Sequence, residues 1–303
     1  MSIQFPKFED VREIIQLARR EDLGEDDVTS RFMISEDAVG VGTVLQKEVG
    51  VTCGLPIVEM ICGVYDERLK VEPIPGFHLD ILEGRFSDAR SLPLLRVRGP
   101  MRSLLAAERV ILNFLQHLSG VATLTSRFVR RVEGTGARIY DTRKTLPGLR
   151  VVDKYAVRRG GGYNHRAGLF DGFLVKDNHI AGVPLKELAV HLSQRVDRSR
   201  AEAPDRFVEI EVQSLEQFRE VLKLEGHFVV LLDNMDCPKM QMAVELRDRA
   251  GKKERVLLEA SGGVTLETVR PIALTGVDRI AVGAITHSAS ALDISMEIEG
   301  NGH

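Results

Sequence analysis

The stretch FVVLLDNMDCPKMQMAVELRDRAGKKERVLLEASGG, residues 228–263, decides the fold of this chain. It holds two short apolar runs, 228–232 and 256–258, with a helical stretch between them. Short apolar runs spaced by helices predict parallel strands joined by crossover helices. Each run leads into polar or glycine residues, Asp233-Asn234 in the first case and 259–263 in the second.

The same alternation of short apolar runs and helical stretches continues on both sides of residues 228–263. The predicted strands comprise residues 137–140, 172–175, 207–210, 228–232, 256–258 and 279–282. In a parallel α/β barrel the carboxyl ends of all strands open onto one face, where catalytic groups lie. The residues that follow the strands should therefore meet at one mouth. Among them are Arg143, Lys144, Lys176, Glu211, Asp233, Glu259, Ser261 and Gly283.

The chain before residue 137 has a different pattern. Apolar residues at helical spacing predict an N-terminal helix that ends near Gly24 and a second helix around 104–118. Between the two helices, β-rich pieces separated by Gly and Pro predict a small, mostly antiparallel sheet. The second helix carries a polar stripe of Arg109, Asn113 and Gln116.

Composition excludes several classes of protein. With 303 residues, 44% of them hydrophobic, the chain can bury a sizeable core, and its formal net charge of −3 provides no global basic field for nucleic acid. No apolar stretch reaches the roughly 20 residues of a membrane span. Three cysteines without a CxxC pair favour reduced thiols, and a short amphipathic N-terminus lacks the core of a signal peptide. We therefore expect a soluble, cytoplasmic protein.

The predicted mouth combines cations with carboxylates. Cationic side chains come from Arg143, Lys144, His165, Arg166 and Lys176, and the carboxylates from Glu211 and Asp233. This mixture suits an anionic substrate together with a divalent ion or a sugar diol. Glycines at 160–162 and 262–263 let backbone amides approach a phosphate, especially if Thr265 begins a helix. The charges at 153–154 and 158–159 are expected on a solvated helix face, with Arg158 or Arg159 at the border of the site as the alternative.

One long stretch carries a family resemblance. Residues 141–180, DTRKTLPGLRVVDKYAVRRGGGYNHRAGLFDGFLVKDNHI, resemble the signature of quinolinate phosphoribosyltransferases. The likeness continues in order through EDLGEDDVTS at 21–30, AERVILNFLQHLSG at 107–120, EIEV at 209–212, LLDNM at 231–235, EASGG at 259–263 and DRIAVGAITHSA at 278–289. A match over nearly the whole chain is far more specific than any of its short motifs.

The resemblance implies an incomplete parallel α/β barrel of seven strands with an N-terminal α/β sandwich domain. We expect the sandwich at 1–118, with the segment 288–303 packing back onto it, and the catalytic barrel at 119–287. Six of the seven barrel strands are readable from the residues themselves, and one rests on the resemblance. The family implies quinolinate and phosphoribosyl pyrophosphate as substrates and Mg²⁺ as the cofactor.

The resemblance also implies roles, residue by residue. Quinolinate-binding cations are expected at Arg143, His165, Arg166 and Lys176. Lys144 resembles a catalytic residue shared with the phosphoribosyl substrate, while Glu211 and Asp233 resemble the catalytic carboxylates on the ribose and metal side. Phosphate positions are expected at Ser261, Gly262 and Gly283. Arg109 resembles an arginine that the partner subunit supplies, which implies a homodimer or a higher homo-oligomer.

Three alternatives stay open at this point. Glu25-Asp26-Asp27 and residues 48–98 depart from the family pattern, which leaves room for the molybdenum-transport-linked pyrophosphorylase-like paralogue with another acceptor. A barrel lyase would form a Schiff base at Lys144 or Lys176. A non-catalytic sensor of anionic metabolites would keep the pocket without turnover, but retention of both the cationic and the acidic residues argues against it.

Overall fold

A computed structural model describes residues 3–76 and 78–300 of the chain. The chain divides into two compact units that interleave in sequence. The first unit comprises 1–126, 145–161 and 285–303, and the second comprises 127–144 and 162–284. The expected domain limits at 118/119 and 287/288 stay a prediction, and residues 301–303 of the expected C-terminal segment lie outside the described residues.

The first half of the chain is a helix and strand mixture that ends in one long helix. Its elements are α1 (Phe8–Leu23), α2 (Val28–Met33), β1 (Val39–Gln46), β2 (Gly50–Val51), α3 (Leu55–Tyr65), β3 (Lys70–Pro73), α4 (Leu79–Leu82), β4 (Phe86–Ser87), β5 (Leu92–Pro100) and α5 (Met101–Arg131). The predicted N-terminal helix corresponds to α1, where the Lys7 amide donates to the Asp10 carboxylate at 3.1 Å and Gly24 ends the helix at a φ of 57°.

The second half alternates strands and helices. Its elements are β6 (Arg138–Tyr140), α6 (Arg150–Arg159), β7 (Phe173–Val175), two 3₁₀ turns (Asp177–His179 and Leu185–Glu187), α7 (Leu188–Glu202), β8 (Val208–Val212), α8 (Leu215–Val221), β9 (Phe228–Asp233), α9 (Cys237–Arg249), β10 (Val256–Ser261), α10 (Val269–Ala273), β11 (Arg279–Ala281), α11 (Ala284–His287) and β12 (Ile294–Gly300). Among the described residues, no helix has both the length and the apolar content needed to cross a bilayer.

An antiparallel sheet forms the centre of the first unit, in the strand order β12-β1-β5-β3. The last strand of the chain returns to this sheet, because β12 pairs with β1 from Gln46↔Ile294 to Gly40↔Gly300. Leu94, Leu95 and Val97 of β5 are fully buried, and so are Leu104, Ile111 and Leu115 of α5. The sheet and the helix therefore contribute to a common apolar core.

The expected solvated face on α6 is wrong for Asp153 and Lys154. Asp153 is completely buried and Lys154 is 6% exposed. The reason for Asp153 is a specific partner, since its carboxylate contacts Nε2 of His117 at 2.6 Å. A buried charge with a close partner does not need solvent. Arg158 and Arg159 are half-buried.

The second unit contains the parallel sheet, in the order β6-β11-β10-β9-β8-β7. All five of its strand pairings are parallel. The described residues thus contain the six predicted strands, and the sheet does not close into a complete barrel. In place of the seventh strand expected from the resemblance, a single parallel bridge joins Tyr163 to Tyr140 beside β6.

Gly120 lies where α5 passes very close to the segment before β12. A Cβ atom at Gly120 would come within 2.1 Å of the Ser290 carbonyl oxygen and 3.2 Å of the Ala291 Cα. Backbone atoms cannot move aside as a flexible side chain can. The helix can approach this segment so closely because position 120 has no side chain.

We expect Gly120→Ala to lower the free energy of unfolding by about 1–3 kcal/mol, as overpacking commonly does. Gly63→Ala is the matched control, because Gly63 also lies in a helix but has no heavy atom within 4 Å of an added Cβ. Its better helix propensity should raise the free energy of unfolding by up to about 1 kcal/mol. Urea titration of both variants measures these shifts, and equal behaviour would contradict the close approach.

Candidate active site

A pocket of about 310 Å³ opens at the carboxyl ends of the parallel strands in the second unit. Thirteen residues line it: Thr142, Arg143, Lys144, His165, Arg166, Leu174, Lys176, Glu211, Leu231, Asp233, Glu259, Ser261 and Ala281. Strand periodicity explains much of this set. Residues two apart point to the same face, so Leu231 and Asp233 of β9 both reach the pocket, as do Glu259 and Ser261 of β10.

The pocket brings together eight of the eleven residues expected in the site. These are Arg143, Lys144, His165, Arg166, Lys176, Glu211, Asp233 and Ser261. The other three are not among the lining residues. Gly262 and Gly283 follow β10 and β11, which are neighbours in the sheet, and Arg109 is an exposed residue of α5 in the first unit. The roles of all eleven stay predictions.

Arg143 and Arg166 lie near each other on the cationic side of the pocket. Arg166 is only 7% exposed, and one of its guanidinium nitrogens donates to the Gly172 carbonyl at 3.2 Å. Burial, and then the nearby charge of Arg143, lowers the pKa of Arg166 below its ordinary value. Like charges held together away from water favour binding of an anion between them.

Lys176 and Glu211 form an ion pair across the pocket wall. The Lys176 Nζ lies 3.1 Å from a Glu211 carboxylate oxygen. Glu211 has 9% of its side chain exposed, whereas Lys176 has 47% exposed and follows β7 directly. The ion pair thus links a residue expected to bind quinolinate with a residue expected on the metal side.

Four buried ionisable side chains lie below the pocket mouth, and sequence analysis missed two of them, Glu209 and Arg279. The His165 Nε2 is 2.7 Å from one oxygen of Glu209 and 3.6 Å from one of Glu259. The Nε of Arg279 contacts the other oxygen of Glu259 at 2.6 Å. We call His165, Glu209, Glu259 and Arg279 the buried quartet. Both carboxylates are fully buried, and Arg279 also lies over the Tyr140 ring, 3.9 Å from its centroid.

A signal for Glu209 was present in the sequence. Because side chains in a strand alternate between two faces, a residue two positions before Glu211 must point to the same side of the sheet, one layer deeper. All five residues of β8 are buried, so Glu209 enters the interior as a charge and needs partners there. Arg279 begins β11 and gave no comparable signal.

Both ring nitrogens of His165 have protein partners. The backbone amide of Arg166 donates to Nδ1 at 2.8 Å, and Nε2 faces Glu209. Burial lowers the pKa of His165, but the contact with Glu209 and the charges of Glu209 and Glu259 outweigh it and raise the pKa. Because Nδ1 accepts the Arg166 amide, the ring proton is assigned to Nε2, which faces Glu209.

The two glutamates of the buried quartet affect each other. Burial and then the charge of Glu209 raise the pKa of Glu259, while Arg279 and His165 oppose that rise. Within residues 3–76 and 78–300, His165, Glu209 and Glu259 form the one group of three whose potential metal ligand atoms lie within 4.8 Å of one another. Arg279 already contacts Glu259, so a divalent ion there would face a buried positive charge.

A strained turn follows Asp233. Asn234 adopts a φ of 52°, its side chain donates to the Asp233 carboxylate at 2.9 Å, and its backbone amide donates to the Ser261 carbonyl at 2.9 Å. Gly262 has a φ of 103°, and an added Cβ would also lie 3.1 Å from the Asn234 backbone nitrogen, so this position favours glycine. The turn thereby joins the ends of β9 and β10. The helix considered at Thr265 begins at Val269 and is five residues long.

A larger cavity of about 760 Å³ opens at the other end of the strands. Its lining includes Val208, Phe228 and Arg279, which begin β8, β9 and β11. Barrel enzymes carry out their chemistry at the carboxyl ends of the strands, whereas the amino ends contribute to stability. The smaller pocket, with its cations and carboxylates, is therefore the candidate active site.

The chain is similar to known proteins over most of its length. The family models for the N-terminal and C-terminal domains of quinolinate phosphoribosyl transferase match residues 27–119 and 121–297. The carboxylating nicotinate-nucleotide pyrophosphorylase of Mycobacterium leprae is 42% identical over 297 residues, which cover 96% of this chain and 98% of the relative.

Two solved structures are similar over nearly their full length. The nicotinate-nucleotide pyrophosphorylase of Francisella tularensis superposes with a TM-score of 0.85 at 30% identity, covering 99% of each chain. That of Ehrlichia chaffeensis gives a TM-score of 0.81 at 37% identity, covering 95% of this chain and 98% of the other.

Proposed function

The chain belongs to the quinolinate phosphoribosyltransferase family, and from that premise we propose that its pocket joins quinolinate to phosphoribosyl pyrophosphate. The products are nicotinate mononucleotide, pyrophosphate and carbon dioxide, and the reaction belongs to the biosynthesis of NAD. The observation that carries the proposal is a cationic wall, with Arg166 buried in it, facing carboxylates in one pocket at the carboxyl ends of the strands. A dicarboxylate and a metal-bound sugar phosphate need those two environments side by side.

The direct test is turnover. Purified protein, incubated with phosphoribosyl pyrophosphate, magnesium and quinolinate labelled at the 2-carboxylate, should yield a pyridine nucleotide and labelled carbon dioxide. Turnover with a different acceptor, and none with quinolinate, would instead favour the molybdenum-transport-linked paralogue.

The lyase alternative has less support from the geometry. Schiff-base formation needs a neutral lysine amine. The Lys176 Nζ is instead engaged with a Glu211 carboxylate oxygen at 3.1 Å. Borohydride trapping of a carbonyl substrate on Lys144 or Lys176 would revive that alternative.

We assign the quinolinate carboxylates to Arg143, Arg166 and Lys176. Arginine presents a planar fork that matches a carboxylate, and lysine adds a compact charge. The resemblance assigns His165 to the same substrate, Lys144 to both substrates, and Ser261, Gly262 and Gly283 to phosphate. The exposed Lys144 and the half-buried Ser261 both line the pocket, in agreement with these roles.

Glu211 and Asp233 are suited to Mg²⁺ on the phosphoribosyl side. Their carboxylates are the hard oxygen ligands that magnesium prefers, and they lie near the ends of neighbouring strands β8 and β9. Bound Mg²⁺ would neutralise charge on the pyrophosphate and make it a better leaving group. Because magnesium keeps several waters and binds substrate phosphates, two protein carboxylates are sufficient for such a site.

The chemistry requires positioning and electrostatics more than a covalent nucleophile. The pyridine nitrogen attacks C1 of the ribose while the bond from C1 to pyrophosphate breaks. The bond between the ring carbon and the 2-carboxylate then breaks, and the quaternary nitrogen stabilises the electron pair that stays on the ring carbon. Carbon dioxide leaves, and the ring carbon takes up a proton. The cationic wall holds the dicarboxylate in register through both steps.

We also propose a homodimer in which the partner's Arg109 completes each site. Its exposure on α5 and its absence from the lining of the pocket support that role, together with the resemblance. A cytoplasmic location is proposed as well, because all three cysteines are free thiols, as expected in a reducing compartment.

Arg166→Ala should weaken quinolinate binding by on the order of 2 kcal/mol or more, because a charge-assisted bidentate contact is lost in a desolvated site. The affinity for phosphoribosyl pyrophosphate should change much less. Arg166→Lys should recover only part of the loss, since a point charge cannot replace the fork. Calorimetric titration of both ligands tests this, and wild-type quinolinate binding by both variants would remove Arg166 from the site.

Asp233→Asn should reduce magnesium-dependent turnover while the fold is preserved, because a charged ligand becomes a neutral amide. Turnover is measured against magnesium concentration, with the melting temperature recorded on the same samples. A large fall in melting temperature with unchanged magnesium dependence would make Asp233 a structural residue.

The composite site predicts complementation between Arg109→Ala and Lys144→Ala, each nearly inactive alone. In a mixed dimer, one site collects both substitutions and the other collects neither. Random mixing makes about half of the dimers mixed, each with one intact site of two, so activity should return to roughly a quarter of wild type. The variants are co-expressed to allow assembly. Demonstrably mixed dimers without activity would show that Arg109 does not act across the interface.

A further inference from the structure

The buried quartet contains charges that the proposed reaction does not use. Glu209 is fully buried, and Arg279 has 11% of its side chain exposed. Burying a charge costs several kcal/mol before its partners compensate for it. An apolar side chain at either position would avoid that cost. These charges are therefore expected to have a role in the site.

The contacts form a continuous path to Arg166. Arg279 contacts Glu259, Glu259 and Glu209 both contact the His165 ring, and the ring accepts the Arg166 backbone amide. A second contact fixes the same turn, because the Asp141 carboxylate accepts the His165 backbone amide at 2.7 Å. The ring also packs edge-on against Phe207, with 5.6 Å between the centroids. The ring is therefore held on several sides, and Arg166 follows it in the chain.

We propose that Glu209, Glu259 and Arg279 are positioning residues for quinolinate: they fix the ring of His165, and the ring fixes the backbone that carries Arg166. The glutamates hold the ring at Nε2, and the ring holds the Arg166 backbone amide at Nδ1. This inference rests on the proposed function, in which Arg166 binds a quinolinate carboxylate.

Glu209→Gln is the main test, performed on the full-length enzyme with saturating magnesium. It leaves the shape of residue 209 nearly unchanged but weakens its hold on Nε2. We expect the KM for quinolinate to rise roughly tenfold or more, since displacements of about 1 Å at a binding group have effects of that size. The KM for phosphoribosyl pyrophosphate should stay within about twofold of wild type.

Asp153→Asn is the matched control. It breaks another contact between a fully buried carboxylate and a histidine Nε2, from Asp153 to His117 at 2.6 Å, and neither residue lines the pocket. This control should lower the melting temperature while both KM values stay near wild type. If it raised the quinolinate KM as much as Glu209→Gln does, the effect would come from general loosening and the inference would fail. An unchanged quinolinate KM in Glu209→Gln would also overturn it.

A second pair of variants separates the two ring nitrogens. His165→Asn places an amide oxygen near the position of Nδ1 and retains an acceptor for the Arg166 amide, whereas His165→Gln places its amide near Nε2 and loses that acceptor. We expect His165→Asn to bind quinolinate several-fold better than His165→Gln. Equal affinities, or the reverse order, would overturn the inference.

These outcomes can be told apart from failure of the proposed function. Wild type without quinolinate turnover would refute the function itself, whereas active wild type with unaffected variants would refute only the positioning role. If Glu209→Gln does not fold, the two His165 variants, compared by calorimetric titration with quinolinate, decide the question.

Discussion

Parallel, in-register pairing of β8, β9 and β10 is the constraint on which the site depends. Glu211 of β8 is level with Leu231 of β9, and Ser261 of β10 is level with Asp233 of β9. Because the strands run the same way and start level, their last residues form one edge. Carboxylates that are far apart in sequence thus face a common pocket without any long loop to position them.

The same pairing forces charges into the interior. Alternation places Glu209 below Glu211 and Glu259 below Ser261, so the layer beneath the pocket contains two carboxylates where a barrel commonly packs branched apolar side chains. Their partners come from elsewhere: Arg279 from the first residue of β11, and His165 from the turn before β7. The stability of this layer depends on a balance of charges, since removing one partner leaves another charge buried and unpaired.

Sequence reasoning was most reliable where periodicity or a chain direction determined the answer. The six parallel strands follow from apolar runs and helical spacers, and the convergence of Arg143, Lys176, Glu211 and Asp233 follows from the common direction of the strands. Burial of Asp153 could not be predicted, because it depends on His117, a residue 36 positions away on another helix. Arg279 was missed for the same kind of reason, as an arginine at a strand start is usually solvated.

The positions that line the pocket and the buried positions two residues before them have different roles along each strand. Upper positions, such as Glu211 and Ser261, are open to the pocket and can change partners when a ligand arrives; Lys176, for example, is half exposed although it is paired. Lower positions, such as Glu209 and Glu259, have no solvent to replace a lost contact, so their geometry is fixed before binding. A rigid lower layer reduces the ordering that the substrate must otherwise supply from its own binding energy. Buried charges in this barrel are thus better explained by preorganisation than by stability.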